Sequence, residues 1–143
     1  MTYITAQDVA DRIGKDELIV LSDREGTGEV NTSVVAQAIQ DASDEINMHL
    51  ACRYRLPLAE VPDTLKRLAV NLTVYWLCDS DAGVSDLVKD RYQNSVKTLK
   101  ALAAGSMTLG LPELEHPAET SAGNVQRVGP DRQTHRKNLG GIL

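Results

Sequence analysis

The sequence predicts an all-α fold: a small bundle of about four helices, two of them long and central, followed by an extended C-terminal arm. The chain has 143 residues, which suits a single core. Its apolar residues, 42% of the total, are almost all aliphatic, with no Phe and one Trp. Apolar positions also recur at three- and four-residue spacing through the long segments, as in helices that pack against one another.

Charge and composition exclude some functions. The formal net charge of −5 argues against a general DNA-coating role, because non-specific affinity for DNA comes from cations that neutralise phosphates. The scarcity of aromatic rings argues against a stacking platform for single-stranded nucleic acid. No basic segment followed by an apolar run opens the chain, and no run approaches 18 apolar residues. We therefore expect a protein made in the cytoplasm without a membrane span.

The first elements are short. Thr5, with Asp8 in the first turn, predicts a helix over residues 6–13, and Gly14 is placed to end it. The apolar run at residues 18–21 is too short to assign to helix or strand. The glycine-containing stretch at residues 22–28 after it favours a loop.

Three longer helices follow. The first begins at Asn31 or Thr32 and runs to about Tyr54, with Val35, Ile39, Ala42, Ile46, His49 and Leu50 on one apolar stripe. The next spans about residues 63–79 and is apolar nearly all round, so it forms the centre of the core. After a turn at residues 79–83, the last helix carries Leu87, Val88, Tyr92, Val96, Leu99 and Leu102 and closes at Gly105.

The chain changes character after Gly110. Three of the five prolines lie there, and no helical stripe can be traced. We therefore predict a helical domain over residues 1–110 and an arm over residues 111–143, which fully extended would reach about 110 Å. The arm's acids come early, whereas its bases Arg127, Arg132, Arg136 and Lys137 come late.

No motif for catalysis, phosphate binding or metal binding is present, so we expect neither an enzyme nor a cofactor. His49 and Cys52 share a helical spacing, but two ligands make a weak metal site. The acids at Asp79, Asp81 and Asp86 do not fit a calcium-binding loop. Cys52 and Cys78 lack a partner motif, and we expect both to be buried free thiols.

Three groups of residues are candidates for contact with a partner. Arg53, Arg55, Lys66 and Arg67 form a candidate basic edge at one end of the helical hairpin, unless they pair with acids such as Asp63 or Glu60. A second candidate is the apolar strip Met107, Leu109, Leu111 and Leu114, which either docks the arm on a partner or packs back on the chain's own bundle. The late bases of the arm are a third.

Several segments together resemble a known family. They are the start MTYITAQDVADRIG, the loop beginning LSD, the helix end INMHLACRYRLPL, the turn VPDTLKRLAV and the later RYQNSVKTLKALAAGSMTLG. In the same order and at similar spacing, from about Met1 to Gly110, they resemble the Mu-like prophage head-tail connector family of small phage neck proteins. The most distinctive piece is RYRLPLAEVP, from Arg53 to Pro62.

The resemblance implies a virion protein of the phage neck. Its expected partners are further copies of itself in a ring of twelve subunits, the portal protein and a tail-side neck or terminator protein. Genomic DNA would pass through the ring without sequence-specific binding, and the arm would dock on the portal or on a neighbouring subunit. Tail-completion or tail-terminator proteins are the nearest alternative. A small helical DNA-binding regulator that uses the region from Arg53 to Arg67 is a more distant one.

Overall fold

The computed structural model describes residues 1–78 and 84–115, and the chain divides into two compact units, Met1–Glu113 and Leu114–Leu143. The described residues of the first unit form five helices: α1 (Ala6–Ile13), α2 (Lys15–Ser22), α3 (Thr32–Leu50), α4 (Asp63–Cys78) and α5 (Asp86–Ala104). The described residues contain no strand, only an isolated antiparallel bridge between Tyr54 and Glu113. The predicted all-α class is confirmed. Helix α2 is the one that the sequence pattern does not predict. It contains the apolar run at residues 18–21, which is too short to assign to helix or strand from sequence.

Helix α1 begins and ends where its sequence predicts. The Thr5 side chain accepts a hydrogen bond from the Asp8 backbone N–H, and the Asp8 carboxylate accepts one from the Thr5 N–H at 2.7 Å. This reciprocal capping box satisfies donors that the first turn of a helix leaves unpaired. Gly14 ends α1 with φ 93°, a backbone conformation that residues with a Cβ rarely adopt. Helix α2 starts at the next residue.

Helix α3 is shorter than its sequence pattern predicts. Asn31 is its N-cap and accepts hydrogen bonds from Ser33 and Val34, but the helix ends at Leu50 instead of near Tyr54. The chain turns after Leu50, and the Tyr54 side chain is buried with 1% exposure. The Tyr54 hydroxyl also accepts a hydrogen bond from the Leu109 backbone N–H in the segment that follows α5, a contact between residues far apart in the sequence. Helical periodicity alone does not report such a contact.

Helices α3 and α4 form the centre of the core, and α5, α1 and α2 pack around them. On α3 the predicted stripe is buried except for His49, which is half-buried. On α4 nine of its sixteen residues are buried, as expected for a central helix. Helix α5 buries only Ser95, Leu99 and Leu102 and ends at Gly105 with φ 89°. It therefore covers one side of the core and leaves its other face exposed.

The two cysteines differ in exposure. Cys78 is buried as predicted, but Cys52 is exposed, because it lies in the turn after α3, beyond the end of the buried stripe. The predicted turn at residues 79–83 lies outside the described residues. So do Arg127, Arg132, Arg136 and Lys137 of the arm. No described helix is long and apolar enough to cross a membrane.

Candidate interaction surfaces

Arg53 and Tyr54 tie the segment after α5 to the turn between α3 and α4. The Arg53 guanidinium donates a hydrogen bond to the Glu113 carboxylate and forms an ion pair with it. The Tyr54 hydroxyl accepts a hydrogen bond from the Leu109 backbone N–H at 2.9 Å. We call this group of contacts, made by Arg53, Tyr54, Gly105, Leu109 and Glu113, the anchor. It fixes the path of the chain as far as Glu113.

The same arginine covers the carboxyl end of α5. A Cβ built on Gly105 would overlap the Arg53 guanidinium, so that group lies directly on the helix C-cap. A cation there interacts favourably with the negative end of the helix dipole. Arg53 is therefore not part of a free basic edge, and its acid is Glu113 instead of the expected Asp63 or Glu60.

The other nominated cations lie apart from the anchor. Lys66 pairs with Asp63 at 3.8 Å within α4, whereas Arg55 and Arg67 are exposed and form no ion pair with another described residue. Whether any of these cations contacts a partner stays a prediction. The apolar strip divides in two: Leu109 and Leu111 pack against the core of the helical unit, whereas Met107 is 46% exposed. Leu114 is 36% exposed.

A second surface is built from three helices. Adjoining clefts run along the exposed side of α4, between α1 on one side and α5 on the other. We call this surface the arginine face: it carries Arg12 of α1, Arg67 of α4 and Arg91 of α5 around the apolar floor Ile13, Val70, Val74 and Val88. None of the three arginines has an ion pair with another described residue.

Acids line only one end of the arginine face. Asp8, Asp11 and Asp63 line the same cleft as Arg12, Lys66 and Arg67, and each acid already has a partner: the α1 cap, Gln7 and Lys66 respectively. No carboxylate lines the cleft between α4 and α5, where Arg67 and Arg91 lie together. Sequence reasoning missed Arg12 and Arg91 because no local motif marks cations that come together from separate helices.

The outer side of α3 has the opposite charge. We call it the acidic face, and it consists of Gln37, Gln40, Asp41, Asp44 and Met48. Gln37 donates to Asp41 at 2.9 Å and Gln40 donates to Asp44 at 2.8 Å, so the two carboxylates are held in place along the helix. Met48 is 76% exposed. Helix α3 contains no Lys or Arg, and no α3 residue lines the arginine face.

A polar contact inside the bundle connects α3 to α5. The Tyr92 hydroxyl donates to the Glu45 carboxylate at 3.0 Å, and the Tyr92 ring stacks on Tyr75 with centroids 3.8 Å apart. Desolvation, together with the hydrogen bond to Glu45 and its negative charge, raises the pKa of Tyr92 to about 12. This contact fixes the positions of two helices and belongs to neither surface.

The described residues contain no group of three or more His, Cys, Asp or Glu side chains that could hold a metal ion. The Cys52 thiol donates to the His49 backbone carbonyl at 3.3 Å. Asp79 and Asp81 lie outside the described residues. The distinctive features of the described residues are thus those of a small helical protein with two oppositely charged surfaces and an anchored C-terminal segment.

Comparison with known proteins identifies the family. The profile of the family described as "Bacteriophage Mu, Gp36" matches residues 3–127, and the chain belongs to this family. "Gene product J" of Escherichia phage Mu is 30% identical over 112 residues, which are 78% of each chain. "Mu-like prophage FluMu protein gp36" of Haemophilus influenzae is 33% identical over 89 residues, 62% of each chain. The resemblance to Mu-like phage proteins is therefore confirmed.

Proposed function

We propose that this phage protein is a structural subunit of the virion neck, a head-tail connector that forms a ring between portal and tail. Membership of the phage Mu family supports a role in the particle. Surfaces that can dock partners support a structural role in place of an enzymatic one.

The main observation in support of this proposal is the anchor. Arg53 and Tyr54 fix the chain as far as Glu113. A segment that starts from a fixed point loses less freedom on docking than one that starts from a loose chain. In this proposal the arm docks on the portal or on a neighbouring subunit.

The ring would contain twelve subunits, with a tail-side neck or terminator protein on its other side. A closed ring needs two different complementary surfaces on each subunit, because each subunit binds the next one head to tail. DNA would pass through the channel without sequence-specific contacts. A net charge of −5 suits that passage, since like charge discourages phosphates from binding the wall.

The test is to mix the purified chain with its cognate portal ring and to weigh the product by native mass spectrometry. A complex with one chain for each portal subunit is the expected result. If a folded, correctly matched pair does not bind, the connector assignment is wrong. Binding to a tail-side protein instead would favour a tail-completion or tail-terminator role, and tight, salt-sensitive binding to duplex DNA would favour a DNA-binding regulator.

A further inference from the structure

We infer that the acidic face of α3 in one copy docks on the arginine face of the next copy. This inference specifies the subunit contact of the proposed ring and in that respect rests on the proposed function. Its evidence is separate, because it depends only on the charge and exposure of two surfaces of the helical unit.

The arginine face has the features of a docking surface. Arg67 and Arg91 are exposed, belong to different helices and lie beside a cleft that no carboxylate lines. The apolar floor beside them includes Val70, Val74 and Val88. Guanidinium groups beside an apolar floor are typical of the centre of protein interfaces, where Arg is enriched.

The acidic face supplies matching groups. Asp41 and Asp44 each accept a hydrogen bond from a glutamine one turn earlier, and each carboxylate can accept further bonds from a guanidinium. Met48 follows Asp44 by one turn and is 76% exposed, so a flexible apolar side chain stands beside the carboxylates. The acidic face thus offers carboxylates to Arg67 and Arg91 and a methionine to the apolar floor.

Both surfaces are present on every copy, which makes a second copy the occupant. The chain is acidic overall, so the α4–α5 cleft, which carries two exposed arginines and no carboxylate, is the part that would attract another copy. The acidic face and the arginine face share no residue, so a head-to-tail contact leaves one surface of each kind free for the next copy. Charge complementarity of this kind sets register and suppresses wrong pairings.

The contact does not have to be strong in the free chain. Individual surface ion pairs contribute about 0–1 kcal/mol. Subunits held side by side on a template experience effective concentrations in roughly the millimolar range, and a dissociation constant of about 1 mM therefore suffices for a neighbouring contact. Self-association should also weaken as salt screens the charges.

Reversing the charges of each face separately tests this contact. The variants are Asp41→Lys/Asp44→Lys and Arg67→Glu/Arg91→Glu, and analytical ultracentrifugation of the free chain at low salt measures self-association up to about 1 mM. Each variant alone presents two faces of the same sign and should associate at least about tenfold more weakly than wild type. An equimolar mixture restores opposite charges at every contact and should recover association.

A matched control is available on α5. Lys97→Glu/Lys100→Glu makes the same charge change as the arginine variant, but neither lysine lines the arginine face, so association should stay at the wild-type level. Circular dichroism of each variant checks that the helices are intact.

Four outcomes would overturn the inference. They are a wild-type chain that stays monomeric throughout, reversal variants that associate like wild type, a mixture that does not recover, and a control variant that loses association. Duplex DNA binding that is abolished by Arg67→Glu/Arg91→Glu, with self-association unchanged, would assign the arginine face to nucleic acid and overturn it as well. Failure of the proposed function is a separate result, namely the absence of a complex with the portal ring.

Discussion

The backbone conformation of Gly105 and the position of the Arg53 guanidinium are coupled. Gly105 ends α5 in the left-handed region, with φ 89°, and the Arg53 guanidinium occupies the space where a Cβ would lie. Arg53 is held there by its ion pair with Glu113, and its charge lies at the negative end of the α5 dipole. A side chain at residue 105 would therefore strain the backbone and also displace the anchor.

We predict that Gly105→Ala lowers the free energy of unfolding by more than the same change at Gly110. Gly110 also has a positive φ of 78°, but nothing lies within 4 Å of its Cβ position, so Gly110→Ala costs only the backbone term of about 1–2 kcal/mol. Urea denaturation of both variants measures the difference. The extra cost at Gly105 should disappear in an Arg53→Ala background, and an unchanged extra cost there would contradict the assigned clash.

Asp23 organises the loop between α2 and α3. Its carboxylate accepts hydrogen bonds from the backbone N–H groups of Thr27 at 2.9 Å and Gly28 at 2.6 Å. These two bonds hold the pKa of Asp23 below its ordinary value of 3.8. A lowered pKa means that the stabilisation is present above pH 3.8 and is lost as the pH falls through the lower folded-state value.

Asp23→Asn should consequently be less stable than wild type at neutral pH, and the difference should narrow in acid as the wild-type carboxylate becomes protonated. Thermal unfolding at a series of pH values measures both. Glu25→Gln in the same exposed loop is the control, because no described hydrogen bond involves Glu25. A difference between wild type and Asp23→Asn that is independent of pH would rule out the carboxylate as its cause.

At the scale of elements, the hydrogen bond between Tyr92 of α5 and Glu45 of α3 makes the stability of the fold sensitive to pH in the alkaline range. The fold raises the pKa of Tyr92 from 10.0 to about 12. The resulting contribution to stability is fully present below pH 10 and is lost as the pH rises towards 12. Tyr92→Phe removes the hydrogen bond to Glu45 and should lower the free energy of unfolding at pH 8 by about 1 kcal/mol.

The difference between wild type and Tyr92→Phe should close between pH 10 and about pH 12, because only wild type has the Tyr92 proton to lose. Urea denaturation followed by circular dichroism across that range is the measurement. Tyr75→Phe removes a hydroxyl from the stacked ring without touching Glu45, so it should keep the wild-type pH dependence. A constant gap up to pH 12 would show that Tyr92 ionisation does not affect folding.

Periodicity and clear end signals predict α1, α3 and α5, and a nearly continuous apolar pattern predicts α4. Thr5, Asn31 and Ser85 cap α1, α3 and α5 as their residue types favour, and glycines end α1 and α5. Helix α2 has neither a capping side chain nor a simple buried face, since its Val20 is 68% exposed. Its apolar run is therefore not a simple buried stripe, and the sequence left it undecided.

The interaction surfaces were less accessible to sequence reasoning, because tertiary packing creates them. In the sequence Arg53 belongs to a predicted basic edge, because its partner Glu113 lies sixty positions away. The sequence predicts Arg67 as an interaction residue but not Arg12 or Arg91, because only packing brings the three to the same side of α4. Leu111 faces the core, whereas the equally apolar Leu114 is 36% exposed, and composition cannot separate two such leucines.

At the scale of the whole molecule, the anchor separates two contributions of the C-terminal residues. Leu111 and Glu113 pack on the helical unit and stabilise it, whereas the residues beyond Glu115 are assigned to docking in the proposed connector. Two truncations distinguish these contributions. Removing residues 116–143 keeps the anchor, and removing residues 111–143 destroys its ion pair and exposes the apolar surface under Leu111.

We predict that only the longer truncation lowers the free energy of unfolding, by about 1–2 kcal/mol, because it alone removes the Glu113 ion pair and the Leu111 contact. Both truncations should lose binding to the portal ring, since both remove the docking segment. Urea denaturation and native mass spectrometry with the portal measure the two effects independently. Wild-type portal binding after removal of residues 116–143 would show that docking depends on the helical unit, and the assignment of the arm would then be wrong.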